Sequence, residues 1–213
     1  MAISTFIRRT TAIGAAALAL SGAVAGQAMA SVPRTTAPSH LQEKQGMHVT
    51  GFDAAVAQAH GYKIVTYANG DRQAVPVNPR SGLPKGTLLV KASATGGTIR
   101  PENGGADTAY GNCGESWITA LQTGAHQIKL TSGFEVDLPA VKFDWDIDLT
   151  DINGTSEQGD SGYLAEDEEW EGTWSKLDQY DFSVDVVRAG AYAILTDGEI
   201  CYSGEPAIDW DLD

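Results

Sequence analysis

Two short stretches carry carboxylates at a spacing that could do chemistry. Phe143-Asp144-Trp145-Asp146-Ile147-Asp148-Leu149 alternates strictly between apolar and acidic residues. A strand of period two would put Phe143, Trp145, Ile147 and Leu149 on one face and Asp144, Asp146 and Asp148 on the other. Ile208-Asp209-Trp210-Asp211-Leu212-Asp213 repeats the pattern at the end of the chain. If the two strands are neighbours, carboxylates opposed at about 5 Å destabilise the pairing unless something bridges them. A Ca²⁺-like cation held between Asp144, Asp146, Asp148 and Asp209, Asp211 would do so; if the strands do not pair, these acidic faces are simply solvated. The string is not an EF-hand loop, because Leu149 and Thr155 occupy the positions that need Gly and Glu.

A second constellation, Glu166-Asp167-Glu168-Glu169-Trp170-Glu171-Gly172-Thr173-Trp174, sets carboxylates beside indoles. Glu166, Glu168 and Glu171 with Trp170 and Trp174 could contact a ligand, and exposed indoles flanked by acids suit a sugar cleft. Two such carboxylates at the right separation could hydrolyse a glycosidic bond. Acid runs are more commonly solvated faces, and tryptophans more commonly core. The stretch has no clean apolar face as a strand. As a helix it aligns Tyr163, Asp167, Trp170, Trp174 and Leu177, with acids toward the N-terminus as the dipole favours.

Gly159-Asp160-Ser161-Gly162 copies the nucleophile signature of trypsin-like proteases. That chemistry needs a histidine base and an aspartate held against the serine. His126 precedes Ser161 by only a few dozen residues, too few for the first barrel of that fold, and Tyr163 stands where that family has a glycine. The segment reads as a polar turn. Gly114-Glu115-Ser116-Trp117-Ile118 lacks the closing glycine of a nucleophile elbow. No residue is assigned a catalytic role, and no motif specifies a cofactor.

The elements that would position these groups begin after a targeting segment. Residues 1–30 combine Arg8 and Arg9, an apolar run from Ala12 to Ala25 and an Ala28-Met29-Ala30 cleavage signal, so they read as a signal peptide. The apolar run is too short to span a bilayer. The expected destination is extracellular, with no membrane attachment after processing. Residues 31–47 are polar and aperiodic, as in a disordered tail. Residues 48–77 read as a small helix–hairpin module: Thr50 as N-cap, Phe52, Ala55, Val56 and His60 at helical spacing, a stop at Gly61, then two strands around Asn69-Gly70. Pro76 places the second strand at an edge. Residues 78–86 form a Pro/Gly linker, and residues 87–213 the main domain.

In that domain short strands recur between turn signals: 87–92, 116–122, 126–131, 134–138, 141–149, 180–188, 191–196 and 199–202. Asp197-Gly198 marks a hairpin, and Ser93 to Thr108 forms a long loop. The pattern predicts a mainly β fold, an antiparallel β-sandwich or barrel with one disulfide, preceded by a short helix and hairpin. The chain has two cysteines, Cys113 and Cys201. In an oxidising compartment they are expected to pair as a structural staple.

Charge restricts the partners. The formal net charge is −14. From Thr131 onward the only bases are Lys142, Lys176 and Arg188, among most of the chain's carboxylates. Such a surface repels nucleic acid and anionic lipid and attracts cations or basic partners.

Tyr110-Gly111-Asn112-Cys113-Gly114-x-Ser116-Trp117, Ser132-Gly133-Phe134 and Asp197-Gly198-x-Ile200-Cys201-Tyr202-Ser203-Gly204, with Ala57-x-Ala59-His60-Gly61-Tyr62, resemble an uncharacterised family of secreted proteins common in streptomycetes and related actinobacteria. The resemblance implies an extracellular home and a shared fold, and carries no activity; the acidic stretch from Asp144 to Trp174 has no counterpart in it. The expected function is that of a non-catalytic binding or interaction module using an acidic surface, with a basic protein or a cell-wall polymer as partner. The alternatives are an extracellular carboxylate-dependent glycan hydrolase and a secreted protease inhibitor presenting the 93–108 loop.

Overall fold

The computed structural model describes residues 40–91, 111–180 and 183–210. The expected signal peptide, residues 31–39 of the expected tail, the 93–108 loop and Asp211 lie outside the described residues, as does the side chain of Trp210. The elements are β1 (His40–Phe52), α1 (Ala54–Ala59), β2 (Tyr62–Thr66), β3 (Arg72–Pro76), β4 (Gly114–Gly124), β5 (Gln127–Asp151), β6 (Gly154–Asp178), β7 (Ser183–Val187), β8 (Tyr192–Leu195), β9 (Glu199–Tyr202) and β10 (Ala207–Trp210).

The antiparallel ladder runs from β5 through β4, β1, β9 and β8 and returns to β5, closing a five-stranded barrel. Strands β7 and β10 extend it from the far end of β5, and β6 lies along β5 from Gln127 to Asp151. The mainly β, disulfide-bearing fold is as expected, and the barrel is the form it takes.

β5 is the strand on which the ladders converge. Its alternation works as the sequence implies: Phe143, Trp145, Ile147 and Leu149 are buried, with Trp145 fully so. The Trp145 indole donates to Ser132 Oγ at 3.0 Å, and that hydroxyl donates to the Trp117 carbonyl at 2.6 Å. A buried indole N–H is thus satisfied through Ser132 of β5 and the Trp117 carbonyl of the adjacent β4. Phe134 packs against Trp145 with ring centroids 5.3 Å apart.

Several expected boundaries are corrected. The three strands expected at 126–131, 134–138 and 141–149 are one strand, because Ser132 and Gly133 are laddered to both β4 and β6 rather than turning. The break at Pro139, which has no N–H to donate, is absorbed as a bulge between Glu135 and Ala140. Residues 40–47 are not tail: they pair with β4, and Met47 is fully buried. Thr50 does not cap the helix, since Gly51 and Phe52 pair with β9. The cap is Asp53, whose carboxylate accepts from the N–H groups of Ala55 and Val56. Of the helix only Ala57 is buried.

The β2–β3 hairpin forms as expected, but its turn is longer than two residues. Tyr67 N–H donates to the Asp71 carbonyl and Gly70 N–H to the Tyr67 carbonyl, and only Gly70 takes a positive φ, +93°. That is a type I turn closed by a left-handed glycine. The expected strand at 87–92 is a single bridge between Leu89 and Arg72. Gly159–Gly162 is not a turn but part of β6.

The disulfide Cys113–Cys201 is formed, with 6.1 Å between Cα atoms and a sequence separation of 88. Both sulfurs lie within the barrel core. Closing a loop of that length is worth roughly 4–5 kcal/mol in the chain-entropy account. We expect Cys113→Ala with Cys201→Ala to lower the unfolding free energy by several kcal/mol in a denaturant titration. A change within experimental error would show that the barrel does not lean on the bridge.

Candidate functional site

The two acidic strands do not meet. Asp144, Asp146 and Asp148 pair along β6 with Ser161, Gly159 and Glu157. On the other side Asp144 faces Tyr192 of β8 and Asp148 faces Val186 of β7. β7 separates β5 from β10, where Asp209 pairs with Val184. Of the cation site expected between Asp144, Asp146, Asp148 and Asp209, Asp211, the four described members are therefore not brought together. Among the described residues no group of three or more metal-ligating side chains comes together. The carboxylates that do face each other across β5 and β6, Asp148 and Glu157, are bridged by Arg188 at 3.4 Å and 3.3 Å.

The acidic–aromatic stretch is strand, not helix, and it has an apolar face. On β6, Leu164, Trp170 and Trp174 are partly buried and pack on the core, with Gly172 between the two indoles; Glu168, Glu169, Glu171 and Thr173 are exposed. Trp170 lies 4.4 Å from Phe143 and 6.0 Å from Phe134, centroid to centroid, and 6.5 Å from Trp174. These indoles are claimed by the core and do not form an open sugar platform. Glu166 sits at a left-handed kink with φ +58°, 3.5 Å from His60 of α1. Ser161 pairs with Asp144 near one end of β6, whereas His126 precedes β5 and stacks on Tyr180, so no protease arrangement is built.

All eight carboxylates of β6, namely Glu157, Asp160, Glu166, Asp167, Glu168, Glu169, Glu171 and Asp178, are exposed, against one lysine, Lys176. Among the described residues, none of Asp167, Glu168, Glu169 and Glu171 has a cationic partner. Among the described residues β6 ladders only with β5.

A second feature gave no signal in the sequence beyond a turn. Asp197 and Glu199 flank Gly198 in the β8–β9 hairpin, and both are buried, Asp197 completely and Glu199 to 2 % exposure. Gly198 takes φ +87°, and a β-carbon there would strike Asp53 and Ala57, so α1 rests directly on this turn. Asp53 N–H donates to the Gly198 carbonyl at 2.7 Å. Glu199 N–H donates to Asp197 Oδ1 at 2.9 Å, and Thr87 N–H donates to Glu199 Oε1. Gly86 packs so closely that a side chain would collide with both carboxyl groups.

The residues expected as a linker are thus fastened at their end: Gly86 N–H donates to the Ala74 carbonyl at 3.0 Å, and Gln73 donates to the Gly86 carbonyl at 2.8 Å. With Thr87, Asn112, Asp137 and Glu199 this segment lines a cleft of about 290 Å³.

Burial raises the Glu199 carboxyl to about 8, assisted by the charge of Asp197 and opposed by the Thr87 N–H. Burial also raises Asp197, opposed by its hydrogen bonds from Glu199. Tyr62 of β2 is raised too, by burial and then by these two carboxyls. The pair therefore favours the protonated form of Glu199 at neutral pH, while Asp197 Oδ2 has no hydrogen-bond partner among the described residues. A general acid must touch its substrate. At 2 % exposure Glu199 presents almost no surface to a solute, and the pair holds the β8–β9 turn against α1, Gly86 and Thr87.

The sign of the pH effect follows. Unfolded, Glu199 ionises near 4.5; folded, near 8. Its contribution is whole below the lower value and is lost as pH rises through the upper one. Melting temperature should fall between pH 5 and 9, and Glu199→Gln, neutral throughout and still able to accept from Thr87 N–H, should flatten that fall. Parallel profiles for parent and variant would refute the assignment.

The chain matches no family model, no curated protein and no solved structure.

Proposed function

We propose that this is a secreted protein that acts without covalent chemistry, as a binding module for a basic polypeptide. The observation that carries the reading is the bare acidic strand β6, with eight exposed carboxylates and a single lysine. An unbalanced field of this kind draws cationic partners and repels nucleic acid and anionic surfaces. Leu164, Trp170, Trp174 and Leu177 of the same strand pack on the core while Tyr163 is exposed, and from Glu166 to Glu171 every exposed side chain is a carboxylate. The hydrolase reading is weaker, because Trp170 and Trp174 are packed against Phe134 and Phe143 instead of framing a cleft.

A fluorescent lysine-rich polypeptide should bind the full chain at low ionic strength and be released progressively as salt approaches about 0.5 M. Glu168→Gln, Glu169→Gln and Glu171→Gln together should weaken binding roughly tenfold while leaving melting temperature nearly unchanged. Affinity indifferent to both salt and these substitutions would remove the acidic strand from the interaction. Binding of a neutral cell-wall polymer in place of the polypeptide would move the protein to another partner class.

A further inference from the structure

Charge explains attraction but not geometry, and β6 has geometry to offer. It is laddered to β5 on one side only, so its other edge presents backbone N–H and C=O groups with no strand against them among the described residues. Two residues in the left-handed region, Glu166 at φ +58° and Lys176 at φ +60°, interrupt this edge. Between them Asp167–Ser175 run as nine residues without a positive φ, a span of roughly 30 Å.

Within those nine residues there are four carboxylates and no base. Open edges in natural sheets are commonly guarded by charge. Here the guard has one sign. A second copy of the edge would bring acid against acid, which destabilises a cross-strand pair, whereas a cationic strand would bring base against acid. The edge is closed to its own kind and open to a partner of opposite charge.

Resting on the acidic-surface reading above, we propose that β6 takes its partner by strand addition: an extended polypeptide with Lys or Arg at alternate positions pairs with Asp167–Ser175 and becomes the next strand of the sheet. Its basic residues lie beside Glu169 and Glu171 on the exposed face. Its intervening residues lie beside Trp170 and Trp174, where small apolar side chains fit best.

The test uses the full chain and two nonapeptides of alternating lysine and valine. One is unmodified; the other is N-methylated at every amide, which keeps its charge and removes its ladder donors. At low salt the unmodified peptide should bind about tenfold or more tighter. It should also slow hydrogen exchange of the Asp167–Ser175 amides. Equal affinity of the two peptides, or protection confined to other residues, would overturn strand addition while leaving the charge-driven reading in place. Failure of both peptides to bind at low salt would overturn both.

Discussion

The barrel depends on burying one face of β5. Phe143, Trp145, Ile147 and Leu149 alternate with aspartates, so a one-residue slip would turn every aromatic and aliphatic group outward and three carboxylates inward. The penalty for that slip is large enough to set the register of all that pairs with β5, namely β4, β6, β7 and β8. The Trp145–Ser132–Trp117 hydrogen-bond relay adds direction, since the indole can be satisfied in only one placement. The disulfide then ties the start of β4 to β9, two strands that are not neighbours in the ladder.

The buried Asp197–Glu199 pair belongs to a different kind of constraint. Two carboxyls out of water cost free energy unless protonation and N–H donors offset it; here Glu199 favours its protonated form and each carboxyl accepts one backbone N–H. What they hold in place is the contact of α1, Gly86 and Tyr62 with the β8–β9 turn. Protonation chemistry is therefore spent on attaching the helix and hairpin to the barrel, while the exposed carboxylates stand on β6. The two groups of acids differ in role because they differ in exposure.

That division also explains why β6 is so long. A 25-residue strand paired, among the described residues, on one edge alone would invite self-association if its exposed face were apolar. Turning Leu164, Trp170 and Trp174 onto the core and leaving carboxylates outside makes the length tolerable. The same arrangement leaves a surface of defined charge and direction on which a basic partner could lie.

From residues alone, what could be settled was whatever period and local chemistry decide. The inward face of β5 was visible because alternation is a property of neighbouring residues. The β2–β3 hairpin was visible because Asn69-Gly70 favours a turn wherever it occurs, and two cysteines left one possible pairing. What tertiary structure decided was everything that depends on which strands meet. Residues 40–47 look like tail until β4 supplies the other half of their ladder. The Glu166–Trp174 stretch has no obvious face until β5 claims Trp170 and Trp174. Asp144 and Asp209 share a pattern yet lie on strands that β7 keeps apart. Asp197 and Glu199 look like ordinary turn acids, and only the arrival of Gly86, Thr87 and α1 removes their water and raises their affinity for a proton. Desolvation is a property of what packs around a group, and no neighbour in sequence announces it.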